Sequence, residues 1–367
     1  MKILFDHQVF SQQKYGGVSK YFCEVLKRMP RENWDTTTLF SNNEYVKYNN
    51  LFPIHDFLPQ INFKRKPFLM NTMNKPYSLY KLYKGDFDIF HETLYETYCL
   101  KAIGNKKMVT TFHDMNHVKF RDLYNYNFLK GPYWMETVQK KSIARADKII
   151  AISHNTKKDL IEYWNINPDK IEVIHHGVDK NRIENLSLKR YIDNPYILYV
   201  GERDGFKNFD RFAVAFSALS KKYKDLKLVC SGKGFNPDEK SKLAQLDILD
   251  KTLQISADER TMAMLYRDAI LYVNPSLSEG FGMPILEAMV YNCPVAISNT
   301  SCFPEIVGNA GLYFNPYETD DMIEVIGSLL DSSDLKNDLI RSGQEQLKFY
   351  SWEKTASEHM KLYKSLL

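Results

Sequence analysis

The stretch Ser278-Glu279-Gly280-Phe281-Gly282-Met283-Pro284-Ile285-Leu286-Glu287 sets two carboxylates around a glycine-rich turn that leads into a helix. Pro284, with its fixed φ and missing N–H, suits the first helical position, and Ile285, Leu286, Ala288 and Met289 carry an apolar face onward from it. Phe281, Gly282 and Met283 then form the loop before a helix N-terminus, where amides and the helix dipole attract phosphate oxygens. Gly280 and Gly282 let a ligand come close to the main chain. Glu279 offers acceptor oxygens to sugar hydroxyls, and Glu287, about one turn into the helix, reaches a second diol such as a ribose. Two glutamates at this spacing are, by themselves, more often a solvated face; the glycines and the placed proline turn the stretch into a seat for a nucleotide sugar.

Tyr199-Val200-Gly201-Glu202-Arg203 leads on to Lys207 and follows an apolar strand, so Arg203 and Lys207 stand where two cations neutralise a leaving diphosphate. Tyr15-Gly16-Gly17-Val18-Ser19-Lys20-Tyr21 places a glycine pair between a strand and a helix, where backbone can approach a phosphate or sugar. Ser231-Gly232-Lys233-Gly234 lacks the third glycine of a dinucleotide fingerprint and is not read as an NAD site. His113 closes the strand Thr111-Phe112 and is placed to bind a sugar hydroxyl or orient an acceptor. His113 with His117 imitates a metal pair but has no third ligand in context, and Asp86-Phe87-Asp88 imitates a metal signature but Asp88 opens a short strand instead of ending one, so no metal and no cofactor is expected. No serine, cysteine or histidine constellation marks a covalent nucleophile. The chemistry indicated is departure of a diphosphate from an oxocarbenium-like sugar.

Short apolar runs alternate with helical patterns along the whole chain, the mark of βα units and parallel sheets. Strands are predicted over residues 3–10, 36–40, 89–91, 108–112, 149–152 and 171–174, with helices over 18–29, 133–146 and 155–164, the last capped by Ser153. Periodicity fades over 181–194, a linker. A second series of strands follows at 196–200, 226–230, 253–255, 270–274, 295–298 and 311–314, with helices at 209–222, 238–249, 259–267, 284–291 and 321–330. Two doubly wound domains result, residues 1–185 and 186–351, with the ligand crevice at the carboxyl ends of the strands where they face each other.

With 367 residues and 44% hydrophobic content, both domains have material for packed cores. Five cysteines without a C-x-x-C pair indicate neither a disulfide framework nor a zinc site and fit a reducing cytoplasm. No apolar run nears the length of a spanning helix, and Met1-Lys2-Ile3-Leu4-Phe5-Asp6 is no signal peptide, so the chain is expected to be neither secreted nor transmembrane. Residues 1–190 hold 30 Lys+Arg against 20 Asp+Glu, and the remainder 19 against 25. The first half should therefore face something anionic; nucleic acid is disfavoured because no binding module accompanies the charge. Residues 62–84 mix bases with aromatics, which suits either an anionic membrane surface or a solvated helix with its tyrosines inward.

Taken in order, Tyr15 to Tyr21, Phe112-His113-Asp114, Ala144 to Ser153, His176-Gly177-Val178-Asp179, Gly201 with Arg203 and Lys207, and Glu279 to Glu287 resemble glycosyltransferase family 4, retaining enzymes of GT-B fold, over essentially the full chain. The resemblance implies two Rossmann-like domains facing across a cleft, with the C-terminal helix near 352–366 crossing back onto the acceptor-side first domain. It implies Glu279 on the donor sugar, Glu287 on the ribose, and the amides of Gly282, Met283 and Ile285 on sugar or diphosphate, beside Gly280 and Phe281. Arg203 and Lys207, next to Gly201, would hold the diphosphate; Gly16 and Gly17 would approach it, and His113 would lie beside the transferred sugar. The pattern is most similar to bacterial mannosyltransferases of O-antigen or surface-polysaccharide assembly, which implies a hexose, best mannose from GDP-mannose, passing to a polysaccharide or lipid-linked glycan without a metal. A UDP-sugar donor, an epimerase and a non-catalytic binding protein are the alternatives. Arg203 is displaced by one position from the family arginine, and His175-His176-Gly177 replaces the commoner Pro-Asn-Gly.

Overall fold

The computed structural model describes residues 1–123, 131–181, 186–187, 189–203 and 205–367. They form two compact units, residues 1–118, 131–177 and 352–367 in one and 119–123, 178–181, 186–187, 189–203 and 205–351 in the other. The expected linker at 181–194 includes 182–185 and 188, which lie outside the described residues.

The first unit is built on β1 (Ile3–Phe5), β2 (Trp34–Thr36), β3 (Ile89–Glu92), β4 (Lys107–Phe112), β5 (Lys148–Ala151) and β6 (Ile171–Val173), all parallel, in the order β2-β1-β3-β4-β5-β6. Helices α1 (Gln8–Gln12), α2 (Gly17–Arg28), α3 (Glu44–Tyr48), α4 (Lys66–Lys84), α5 (Asn116–Lys119), α6 (Gly131–Arg145) and α7 (His154–Trp164) accompany it. Sheets covered on both faces need strands that are apolar throughout, and Phe90, Met108, Phe112 and Ile149 meet Leu160 and Ile143 in a common core. Ser153 caps α7 as expected, accepting the Thr156 N–H.

Two expectations are corrected here. The strand predicted to run to residue 10 stops at Phe5, because the His7 N–H turns aside to Thr37 Oγ1 at 2.9 Å and residues 8–12 coil into α1. Residues 66–84 are a helix, but not one with its tyrosines inward: Tyr80 and Tyr83 are exposed, and the buried residues are Met70, Asn71, Asn74, Ser78 and Leu82.

In the second unit β7 (Tyr196–Val200), β8 (Lys227–Ser231), β9 (Thr252–Ile255), β10 (Leu271–Asn274), β11 (Val295–Ser298) and β12 (Leu312–Phe314) form another all-parallel sheet, ordered β12-β11-β10-β7-β8-β9. It carries α8 (Phe209–Lys222), α9 (Pro237–Gln245), α10 (Glu259–Asp268), α11 (Met283–Val290), α12 (Phe303–Val307), α13 (Thr319–Asp331) and α14 (Ser333–Gln346). The final helix, α15 (Trp352–Ser365), is part of the first unit. Its His359 Nε2 meets the Tyr21 hydroxyl of α2 at 2.7 Å, and its Tyr363 hydroxyl meets His91 Nδ1 at 2.5 Å.

Each sheet has one point where the strand order reverses, between β1 and β3 in the first and between β7 and β10 in the second. Loops leaving such neighbours part company, and the gap between them is where doubly wound sheets receive ligands.

Candidate functional site

The reversal point of the second sheet brings together Lys207 and Glu279, two of the residues singled out by sequence. From β7 the chain passes through Gly201, held at φ +129 with its N–H on the Ser231 carbonyl, to a single turn at Gly205–Lys207. From β10 it passes through Pro275 and Ser276 to Glu279. The loops are joined where the Leu277 N–H donates to the Phe206 carbonyl at 2.7 Å. Lys207 Nζ donates to Glu279 Oε1 at 2.6 Å, and Ser276 Oγ donates to the same oxygen at 2.8 Å. Ser301 holds the Glu279 backbone, accepting its N–H at 3.2 Å and donating to its carbonyl at 2.9 Å. A carboxylate and an ammonium are thus set side by side on rigid loops, 18% and 23% exposed.

Gly282 takes the left-handed conformation (φ +88) as the cap of α11, which begins at Met283 and puts Pro284 second instead of first. A methyl group at 282 would lie 3.1 Å from Ile285 Cδ1, so glycine serves both shape and space. The Ile285 N–H is already committed to the Gly282 carbonyl at 2.9 Å and its side chain is fully buried, so Ile285 is not brought to the loop surface. Phe281 is buried too, edge-on to Tyr350. Glu287 lies one turn into α11, where the Tyr266 hydroxyl donates to its Oε2 at 3.4 Å. Burial, reinforced by the Glu287 charge, pushes the Tyr266 phenol well above its usual value and keeps it a donor.

Arg203 is not brought to the Lys207–Glu279 pair. Its guanidinium is 3% exposed, donates through Nε to Glu239 Oε1 at 2.8 Å and through Nη2 to the carbonyls of Lys233 and Gly234, and lies over the Phe235 ring. Only Nη1 is buried without a hydrogen-bond partner among the described residues. Burial alone would raise the Glu239 carboxyl, yet Arg203 and the Asn236 amide hold it below the ordinary range. The loop 231–234 is therefore a brace for Arg203, with Gly232 passing so near that a Cβ there would meet the Gly201 carbonyl at 2.7 Å.

In the first unit Gly16 and Gly17 start α2. A Cβ at Gly16 would fall 2.3 Å from Gln13 Oε1, the atom that caps the Ser19 N–H, whereas Gly17 faces open space. His113 sits just beyond β4 beside the same helix, its ring edge-on to Tyr21 at 5.3 Å and near His176 at 6.0 Å. Its Nε2 is buried and has no hydrogen-bond partner among the described residues. Burial lowers its pKa to about 4, so it is a neutral imidazole able to donate or accept. His117 turns away and pairs through Nε2 with Gln139 Oε1 at 2.7 Å. Asp86 and Asp88 bind the Lys2 side chain and N–H respectively, each at 2.7 Å, as struts at the foot of β1.

Ser276, Ser301, Tyr266 and Glu239 hold the candidate residues and were passed over in the sequence. Each is a common residue type: Ser301 meets Glu279 only once β10 and β11 are adjacent, Glu239 meets Arg203 only once β7 and β8 are, and Tyr266 meets Glu287 between α10 and α11; Ser276, three residues before Glu279, is the one that spacing could have offered.

The family model described as "Glycosyltransferase Family 4" matches residues 15–182, and that described as "Glycosyl transferases group 1" matches residues 182–346. The O-antigen chain mannosyltransferase RfbU of Salmonella typhimurium is 30% identical over 230 residues, which cover 59% of this chain and 63% of that protein, somewhat under two thirds of its length. The O-antigen chain mannosyltransferase B of Escherichia coli is 27% identical over 273 residues, 71% of each chain. Among solved structures, Anabaena Alr3699/HepE in complex with UDP-glucose superposes with a TM-score of 0.76 at 16% identity, covering both chains fully. The α/β architecture with two Rossmann-like domains is that of the GT-B glycosyltransferases.

Proposed function

The chain belongs to the glycosyltransferases, and on that premise we propose that it is a retaining mannosyltransferase, moving mannose from GDP-mannose to a polysaccharide or lipid-linked glycan. One observation carries the reading: Glu279 and Lys207, 2.6 Å apart at the reversal point of the second sheet, beside the start of α11. A carboxylate is suited to sugar hydroxyls and an ammonium to phosphate, and the pair keeps both rigid until a donor separates them. As the bond from sugar C1 to the diphosphate oxygen breaks, Lys207 and the α11 N-terminus take up the charge developing on phosphate. The acceptor hydroxyl adds to C1 on the vacated face and its proton passes to the departing phosphate oxygen. Glu279, tied by Lys207 and Ser276, orients the sugar and is not the nucleophile. Glu287, with Tyr266 behind it, receives the ribose. Because Lys207 and the helix terminus carry the diphosphate charge, the reaction needs no metal. The mannose assignment rests on the O-antigen mannosyltransferases among the relatives; a UDP-sugar donor is the second reading, favoured by the UDP-glucose complex of the structural neighbour.

On the first unit, a cavity of about 320 Å³ lined by Gln12, Lys14, Asn42, Glu44 and Lys66 offers hydroxyl-binding groups to an acceptor glycan.

The test is label transfer from GDP-mannose and, in parallel, UDP-sugars into a lipid-linked glycan extract, with and without chelator. Incorporation from GDP-mannose that survives chelation is the expected result. Conversion of one nucleotide sugar into another would make the protein an epimerase, and binding without turnover a non-catalytic one.

A further inference from the structure

Helix α4 has an unusual distribution of side chains. An ordinary surface helix buries its apolar stripe and solvates its polar one; α4 buries Asn71, Asn74 and Ser78 beside Met70 and Leu82, and leaves a second set of apolar side chains in solvent. Asn74 alone makes four bonds inward, accepting the Leu39 and Phe40 N–H groups at 2.9 and 2.8 Å and donating to Ser11 Oγ and the Phe40 carbonyl at 2.8 Å each. Asn71 donates to Glu96 at 2.7 Å and Ser78 meets the Tyr98 hydroxyl at 2.7 Å. Lys75 pairs with Glu96, and Lys81 with Asp35. Outward stand Phe68 (69% exposed), Leu69, Met73, Tyr80 and Tyr83 (74%). Ile61 and Leu58, also exposed, are kept beside the start of the helix by Lys66 Nζ on their carbonyls at 2.9 and 2.8 Å. Such a contiguous apolar face, so firmly oriented, is not what a solvated helix shows.

Charge names the occupant. Between Asp56 and Asp86 there are six lysines and arginines and no acidic residue. Lys75 and Lys81 are used inward, while Lys64, Arg65 and Lys84 are exposed at the two ends of the apolar face. Cations bracketing an apolar stripe, with tyrosines among it, match the depth profile of an anionic lipid surface: acyl chains for Phe68, Leu69 and Met73, headgroup level for Tyr80 and Tyr83, phosphates for the cations. No helix among the described residues is long and apolar enough to cross a membrane.

We propose that the outward face of α4 docks the protein on an anionic phospholipid surface. The inference stands apart from the donor assignment, and one set of samples separates them. The full chain is sedimented with vesicles of phosphatidylcholine alone or with phosphatidylglycerol, at rising salt, while nucleotide-sugar hydrolysis is measured on the same protein. Expected are at least tenfold tighter binding to the anionic vesicles, weakening as salt rises, and a loss of about fivefold per cation removed, at ~1 kcal/mol per residue near the surface. Lys64→Glu/Arg65→Glu and Phe68→Ser/Tyr83→Ser should each lose tenfold or more with hydrolysis and circular dichroism unchanged, since all four side chains point outward. Equal binding to neutral vesicles, no sedimentation with either, or variants that bind like the parent would overturn the proposal. So would self-association without lipid that Phe68→Ser/Tyr83→Ser abolishes, which would make a second copy the occupant.

Discussion

Lys207 Nζ and Glu279 Oε1 are 2.6 Å apart although 72 positions separate them in the chain, because β7 and β10 are neighbours where the strand order reverses. The contact is a local device with little structural worth: a partly exposed ion pair contributes about 0–1 kcal/mol.

Its chemical worth should be far larger. Glu279→Gln and Lys207→Ala are each expected to cut kcat/KM by about a hundredfold or more, while shifting the unfolding temperature by under ~4 °C, as befits a unit of this size. Steady-state kinetics beside calorimetry check this; a large thermal shift with modest kinetic loss would make the pair structural.

Arg203 should behave in the opposite way. Removing a buried guanidinium takes one charged partner from Glu239, which among the described residues keeps only the Asn236 N–H, and the side-chain donor from two carbonyls, at a cost of about 3–5 kcal/mol. Arg203→Ala is expected to unfold earlier by roughly 10 °C, and Arg203→Lys to recover little of it, lacking the fork. Unchanged stability with reduced turnover would show instead that the arginine leaves Glu239 to hold the diphosphate.

The glycines divide by conformation. Gly282→Ala meets both a left-handed φ and the Ile285 side chain and should cost about 1–2 kcal/mol. Gly17→Ala meets nothing and should leave stability equal or raised by up to ~1 kcal/mol. Turnover in Gly17→Ala is nonetheless expected to drop tenfold or more if backbone at the start of α2 approaches the donor; parallel melting and rate measurements distinguish the two effects.

How much of this could be read in the chain depends on range. Most strands could be placed because parallel strands covered on both faces are apolar runs such as Tyr196–Val200 and Val295–Ser298, whereas the strand predicted over 36–40 meets β2 (Trp34–Thr36) only at Thr36; the glycosyltransferase resemblance survives in local motifs. What escaped is set by contacts distant in sequence. The early end of β1 depends on Thr37, thirty residues away, and the burial of polar side chains on α4 on Ser11, Leu39, Glu96 and Tyr98 as partners for its asparagines and Ser78. The engagement of Arg203 follows from Glu239 on α9, and nothing in the loop 199–208 announces it.

Protons should tune the first unit. Burial lowers His7 to about 3 and His113 and His359 to about 4, and holds His91 and His176 well below the ordinary value. The unfolded chain binds protons at these rings below about pH 6.5 and the folded chain does not, so their stability is complete above 6.5 and is lost as pH falls toward 4. Asp6 and Glu92 oppose this, since burial raises them to about 7 and about 8. Their contribution is complete below about pH 4 and is lost as pH rises through 7 and 8. Five rings outweigh two carboxylates on the acid side, the carboxylates act between about pH 6.5 and 8, and the buried thiols and phenols, also raised by burial, lower stability further at higher pH. Unfolding temperature should therefore peak near about pH 6.5, and Glu92→Gln should flatten the alkaline limb; a steady rise to pH 9 would contradict the assignment.

The most direct measurement is proton NMR of GDP-mannose with the purified chain, following nucleotide release and the anomeric form of the sugar first set free or transferred. Release of GDP with α-mannose appearing first, abolished in Glu279→Gln, is the predicted result. β-Mannose appearing first would contradict retention, and a GDP-mannose spectrum that neither shifts nor decays would contradict the donor itself.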